Sequence, residues 1–243
     1  MRLRYPILIA VLILAALAAA CETSSRVVQT TTASAPLENA ASADVRIRPG
    51  AGEVSVRGGD IDVLMNGTFR FNRRHWEPRV DFLKVGDRSR LVVERRRSRT
   101  IFLGSVRNTW DLELTNRIPL DLDFDFGAGE ARLDLRGLKL NSLKVDMGVG
   151  DLTLDLSGPR SESLEASLDG GIGHATIYLP SEIGVRLRID GGLGKVNAPG
   201  FIKNERYYTN EAYGKTPTSI DLEVDAGIGS IDLKLRGAKT VNF

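Results

Sequence analysis

The sequence predicts an all-β protein built as a stack of repeated short strand pairs. The pattern Asp-x-Gly-x-Gly occurs five times, beginning at Asp125, Asp146, Asp169, Asp190 and Asp225, with spacings of 21, 23, 21 and 35 residues. Apolar and polar residues alternate on both sides of each copy, which is typical of half-buried strands. Self-similarity at such a period indicates a stacked architecture of the β-solenoid kind. The alternative is an antiparallel β-sandwich.

The glycines of each copy are predicted to form a corner between two short strands. In the third copy the inward series contains Leu168 before the glycines and Ala175 and Ile177 after them, so the alternation shifts by one residue. Such a shift turns side chains to the other face unless a bulge or corner absorbs it, and glycine adopts positive φ without a Cβ penalty. We assign this turn role to Gly127, Gly129, Gly148, Gly150, Gly171, Gly173, Gly192, Gly194, Gly227 and Gly229.

The residue between the two glycines is apolar in every copy. These residues are Ala128, Val149, Ile172, Leu193 and Ile228. We expect them to point inward, so that each unit has a buried corner and needs stacked neighbours to complete its core. A weaker copy of the corner, Pro49-Gly-Ala-Gly52, opens the folded part.

Residues 1–20 have the features of an export signal. Two arginines precede the apolar run from Pro6 to Leu17, and three alanines precede Cys21, which is the only cysteine. This segment resembles a bacterial lipoprotein signal, which implies that Cys21 carries the lipid and becomes the new N-terminus. Two or three acyl chains on one residue anchor a protein stably to a membrane. The alternatives are an uncleaved anchor helix and an ordinary signal peptide.

The lipoprotein resemblance implies an extracytoplasmic location, at the outer membrane if the cell has two membranes. Residues 21–43, rich in Ser, Thr and Ala, are predicted to be the lipidated cysteine and a flexible tether. Residues 44–118 form the N-terminal β part, and residues 119–243 form the Gly-x-Gly repeat part. Within the first part, Asn66-Gly67 predicts a hairpin turn.

Two surfaces are candidates for partner binding. The first is basic and contains Arg73, Arg74 and Trp76; the alternative is that these cations are solvated or paired within the molecule. Such pairing fits the charge distribution, since residues 44–118 hold 16 Lys and Arg against 10 Asp and Glu, and residues 119–198 hold 8 against 13.

The second candidate surface is the long insertion at 199–218. It carries Phe201, Tyr207, Tyr208 and Tyr213. Long loops in compact domains are often functional, and tyrosine is favoured at interfaces. The alternative is that the tyrosines fold back and cap the stack.

No pattern in the sequence predicts catalysis. The two histidines, His75 and His174, are far apart, and there is no nucleophile motif, phosphate-binding loop or metal-ligand spacing. We therefore expect no enzyme activity, no cofactor, no metal and no nucleic-acid partner. The repeated aspartates are expected to accept hydrogen bonds from the corner N–H groups; the alternative is that they bind Ca²⁺.

The Gly-x-Gly repeats resemble those of the toast-rack family of bacterial envelope domains, relatives of LiaF-type cell wall-active antibiotics response proteins and of adhesins. The segments that carry the resemblance include Leu120 to Leu135, Leu143 to Leu156, Ala166 to Leu179 and Ala226 to Leu235. It implies an all-β stack outside the cytoplasmic membrane, with protein–protein contact or envelope-stress signalling as the usual role. The LiaF-type regulators carry transmembrane helices before this domain, where this chain has a lipoprotein-like signal. Together, the resemblance and the signal favour a noncatalytic, lipid-anchored binding or scaffold protein with an envelope protein as partner. The alternatives are a regulator of envelope-stress signalling and an adhesin-like surface protein.

Overall fold

The computed structural model describes residues 28–73, 76–96, 107–191 and 193–237, and these ranges contain fourteen strands and no α-helix. The first seven strands are β1 (Gln29–Ala35), β2 (Ser42–Gly59), β3 (Met65–Phe71), β4 (Pro78–Val85), β5 (Arg88–Arg95), β6 (Asn108–Thr115) and β7 (Leu120–Asp134). The others are β8 (Leu140–Asp155), β9 (Leu164–Pro180), β10 (Gly184–Asp190), β11 (Leu193–Asn197), β12 (Ile202–Asn204), β13 (Tyr207–Thr209) and β14 (Ser219–Arg236). The expected all-β stack is confirmed.

The centre of the molecule is a parallel stack of long strands that each pass through a corner. Strands β2, β7, β8, β9 and β14 lie side by side in register. Before the corner they form a first face, which continues through β5 and β4 at one end and through β10, β13 and β12 at the other. After the corner they form a second face, flanked by β6, β3 and β1 and by β11.

The predicted shift in alternation is present in the core. In β7, Leu122 and Phe124 are buried before the corner, and Leu133 is buried after it, so the inward set changes from even to odd numbers. Residues from both faces belong to one hydrophobic cluster. The parallel, in-register pairing of the repeat part rules out the antiparallel sandwich there.

The order of the stack differs from the order of the copies along the chain. Strand β14, which carries the last copy, lies between β9 and the pair formed by β10 and β11. The fourth copy is therefore at the end of the stack. The spacing between the fourth and fifth copies is 35 residues because the chain must leave β11 and return to the place between β9 and β10, where it forms β14.

Two expectations for the N-terminal part are wrong. Residues 29–35, assigned to the flexible tether, form β1 and pair antiparallel with β3. The predicted hairpin at Asn66-Gly67 is also absent, since both residues lie inside β3. A Cβ on Gly67 would lie 2.8 Å from the Phe69 ring, so the glycine is explained by close packing rather than by a turn. The signal segment and Cys21 lie outside the described residues.

Candidate contact surfaces

The corner glycines are required because consecutive units stack backbone on backbone. Gly129, Gly150, Gly173 and Gly229 have φ between +126° and +156°. A Cβ on Gly150 would lie 1.9 Å from the carbonyl oxygen of Gly129 in the neighbouring unit. Of the ten glycines assigned to the turn, Gly192 lies outside the described residues. A Cβ on any of the other nine would lie within 2.7 Å of a neighbouring backbone oxygen.

The residue between the glycines points outward, not inward as expected. The exposed fractions of Val149 and Ile228 are 51% and 55%, and Ala128 is half-buried. The inward position is occupied instead by the residue before the first glycine, as the burial of Phe126 and Met147 shows. We call the outward row of Ala128, Val149 and Ile228 the corner ridge; Ile172 and Leu193 share its backbone register, but their side chains lie outside the described set.

The five repeated aspartates form a continuous row on the first face, next to the corner. In stack order the aspartate row is Asp125, Asp146, Asp169, Asp225 and Asp190. Cations meet it toward both ends: Arg48 lies 3.5 Å from Asp125, and Arg188 and Arg206 lie 2.6 and 3.2 Å from Asp190. Lys144 lies 3.0 Å from Asp146.

The environment of Asp169, in the middle of the aspartate row, disfavours its ionised form. Partial burial and the neighbouring Asp146 raise the pKa of Asp169 above the ordinary value of 3.8. At the end of the row, the hydrogen bond from Arg206 and the charge of Arg188 lower the pKa of Asp190.

Among the described residues, no hydrogen bond joins an aspartate of this row to a corner N–H. The expectation that the repeated aspartates accept hydrogen bonds from the corner N–H groups is therefore wrong. No group of three or more metal-binding side chains is present there either.

The basic candidate surface does not present its tryptophan. Trp76 is only 8% exposed, and the Arg95 guanidinium lies 4.5 Å from its ring centroid. The Arg73 carbonyl accepts a hydrogen bond from the Trp76 backbone N–H at 2.9 Å. Trp76 is therefore part of the core, and Arg74 lies outside the described residues.

The insertion at 199–218 extends the first face by two short strands. β13 pairs antiparallel with β10, and β12 pairs with β13. Tyr208 is 9% exposed and packs in the core cluster, whereas Tyr207 is 41% exposed. The buried Asn210 fixes the segment, because its side chain accepts from the Val185 N–H at 2.9 Å and donates to the Ile183 carbonyl at 2.7 Å.

The remaining aromatic residues of the insertion divide between core and surface. Phe201 is half-buried against the core. Tyr207 and Tyr213 both lie near Arg186, each ring centroid being 5.7 Å from the guanidinium carbon. Arg186 also pairs with Asp221 at 2.6 Å. The insertion thus caps the edge of β10 through Tyr208 and leaves Tyr207 at the surface.

Several basic side chains of the N-terminal part pair with acidic ones of the neighbouring strands. Arg46 lies 2.7 Å from Asp123, and Arg88 contacts both Asp44 and Asp121. These pairs link β5 and β2 to β7, so part of the uneven charge along the chain is neutralised inside the molecule.

His174 contacts polar side chains of its own strand, β9, and of the neighbouring strand, β14. Its ring nitrogens lie 2.7 Å from Ser230 Oγ and 3.2 Å from Thr176 Oγ1, and Asp232 lies 3.4 Å away. The ring therefore links β9 to β14 on the second face.

The part of the chain that the structure describes contains no helix with the length and hydrophobicity of a membrane span.

Comparison with known proteins identifies the family. Residues 23–178 match the model of the N-terminal domain of toast_rack, DUF2154. The chain belongs to the toast-rack family. The stacked corners are therefore a toast-rack fold, as the sequence resemblance implied. No curated protein matches the chain closely enough to count as a relative.

Two solved structures are compared with this chain, and the first shares its architecture. A candidate cell adhesion protein from Clostridium sporogenes is 29% identical, with a TM-score of 0.79 over 86% of this chain and 100% of that chain. A candidate adhesin from Bacteroides fragilis is 12% identical, with a TM-score of 0.27 over 86% of this chain and 98% of that chain.

Proposed function

We propose that this protein is a noncatalytic, adhesin-like binding module, anchored by lipid at Cys21 and displayed outside the cytoplasmic membrane of a bacterial cell. The similarity to the candidate cell adhesion protein of Clostridium sporogenes supports a surface role. The toast-rack family and the lipoprotein-like segment before Cys21 support an envelope location. The proposed partner is another envelope or surface protein.

The observation that carries the proposal is the corner ridge. Val149 and Ile228 are more than half exposed although each projects from a corner whose backbone is fixed by stacking. Ala128 and Val149 are neighbours in register, and contiguous apolar side chains at the surface mark interaction sites in soluble proteins. A rigid backbone loses little entropy when a partner binds. Tyr207, beside Arg186 at the edge of the first face, is a second contact candidate.

The contact is tested by photo-crosslinking in living cells. A photoreactive residue replaces Val149, and a matched control replaces Leu83, which is 57% exposed on β4 at the end of the first face. We expect a defined protein to be captured from position 149 and not from position 83. Equal capture from both positions, or none from position 149, would refute the ridge as a contact. Capture of a sensor kinase would favour the stress-regulator alternative.

The anchor is tested separately by Cys21→Ser. The variant should lose incorporation of labelled palmitate and move from the membrane fraction to the soluble fraction, because acyl chains at this residue are the proposed source of membrane affinity. Retention of both label and membrane association by Cys21→Ser would exclude lipidation at this cysteine.

A further inference from the structure

One inward position changes size systematically along the stack. The residue before the first glycine of each corner is Phe126 in β7, Met147 in β8, Gly170 in β9 and Ala226 in β14, and these four are neighbours in register. Phe126 and Met147 are buried, with exposed fractions of 1% and 8%. They fill the inside of the corner at one end of the stack. At the other end the same position has almost no side chain.

A cavity lies where those side chains are missing. Its volume is about 80 Å³, or about 620 Å³ when its narrow margins and open mouth are included, so it is narrow. Its walls include the buried Leu152, Leu168 and Val224 and the half-buried Ile189 and Val196. The buried residues belong to inner strands and the half-buried ones to the terminal β10 and β11, which places the mouth at the end of the stack.

The cavity is elongated along the stack axis. Its lining runs from Met147 on β8 through β9 and β14 to Gly191 beside β10. Neighbouring strands are about 4.8 Å apart, so three spacings give a length of roughly 14 Å. Its polar lining includes Lys195 and Asp225, which are both exposed.

The fold does not require a glycine at position 170. A Cβ there would have only the Asp225 carbonyl oxygen within 4 Å, at 3.9 Å, and Gly170 does not have positive φ. By contrast, a Cβ on Gly171 or Gly173 would lie 2.2 or 1.8 Å from a backbone oxygen. The empty space is therefore left by the choice of side chain and not by the geometry of the corner.

We propose that this cavity binds a single unbranched aliphatic chain, such as the acyl chain of a fatty acid or envelope lipid. Ligand pockets are concave and lined mainly by apolar groups, and an apolar cavity can bind an apolar ligand. A narrow, elongated shape fits a linear chain better than a ring. Ile228 of the corner ridge also lines this cavity, whereas Val149, at which the contact role is tested, does not.

Calorimetric titration of the purified protein with dodecanoate, below its micelle concentration, tests this site. Wild type should bind dodecanoate, and octanoate should bind roughly 200-fold more weakly because it buries four fewer methylene groups. Gly170→Met, which copies Met147 of the adjacent unit, should fill the cavity and abolish dodecanoate binding while keeping the melting temperature at or above that of wild type. Val149→Ser, on the outer side of the corner, is the matched control and should bind normally.

Three results would each overturn the assignment of an aliphatic-chain site. They are absence of dodecanoate binding to wild type, equal binding by Gly170→Met, and loss of binding in Val149→Ser. If Gly170→Met fails to fold, Ala226→Leu, which fills the neighbouring strand's position, provides the same comparison. Mass spectrometry of organic extracts from protein purified from its own membranes then distinguishes a free fatty acid from a lipid acyl chain as the natural source.

Discussion

The Arg236 guanidinium reaches across an entire strand to pair with Asp155. Arg236 Nη1 donates to Asp155 Oδ2 at 2.7 Å, linking the end of β14 to the end of β8. Strand β9 lies between them, and the guanidinium carbon is 3.3 Å from the ring centroid of Tyr178 on that strand. Asp155 is buried and also accepts from the Ser157 backbone N–H at 2.9 Å. One cation thus joins three successive units of the stack.

Replacing Asp155 by alanine should destabilise the protein by about 2 kcal/mol, because the Arg236 guanidinium and the hydroxyl and backbone N–H of Ser157 lose a charged acceptor. Asp134→Ala is the matched control, since Asp134 is the register neighbour of Asp155 on β7 and its side chain is 44% exposed. Its pair with Arg136 should contribute less than about 1 kcal/mol. Urea unfolding at neutral pH measures both, and equal losses would contradict the strand-crossing role.

Alanine should separate the two kinds of corner glycine. Gly150→Ala places a Cβ 1.9 Å from the Gly129 oxygen at φ of +136°, and should cost more than about 2 kcal/mol. Gly170→Ala has free space, and its effect should stay within about 0.5 kcal/mol of wild type or be slightly stabilising. Denaturant midpoints of the two variants provide the measurement; a similar loss in both would show that position 170 is also fixed by the backbone.

The sequence predicted the repeat stack because a fixed motif and period-two alternation are both visible in one chain. It did not predict that the residue between the two glycines points outward. An apolar residue at position 149 or 228 is normally expected to be buried, and the glycine conformations that turn it outward cannot be inferred from the alternation of polar and apolar residues. The insertion of β14 before β10 was also hidden, since strand order depends on non-local pairing. Gly170 was unremarkable in sequence and became informative only beside Phe126 and Met147 in register.

Stability should depend on pH through Asp169. Its pKa in the folded protein is raised above 3.8, so ionisation destabilises the fold in full above the folded-state pKa. This cost decreases as pH falls through that pKa and disappears below the ordinary value. Asp169→Asn should therefore melt higher than wild type at about pH 7 and equal to it at about pH 3. The pKa of Asp190 is lowered, so Asp190→Asn should show the opposite sign at about pH 7. Thermal melts across this range would contradict the scheme if both variants shifted in the same direction.

The two adjacent tyrosines of the insertion should differ in their effect on stability. Tyr208 is 9% exposed and packs against the core beside β10, so Tyr208→Ala should cost about 3 kcal/mol, as for other buried aromatic truncations. Tyr207 is 41% exposed, and Tyr207→Ala should change stability by less than about 0.5 kcal/mol. Because Lys203 and Arg206 lie in the same segment, limited trypsin digestion should cut the Tyr208→Ala variant faster there than wild type. Equal digestion of both variants at wild-type rates would mean that Tyr208 does not hold the insertion on β10, and that Asn210 alone fixes the segment.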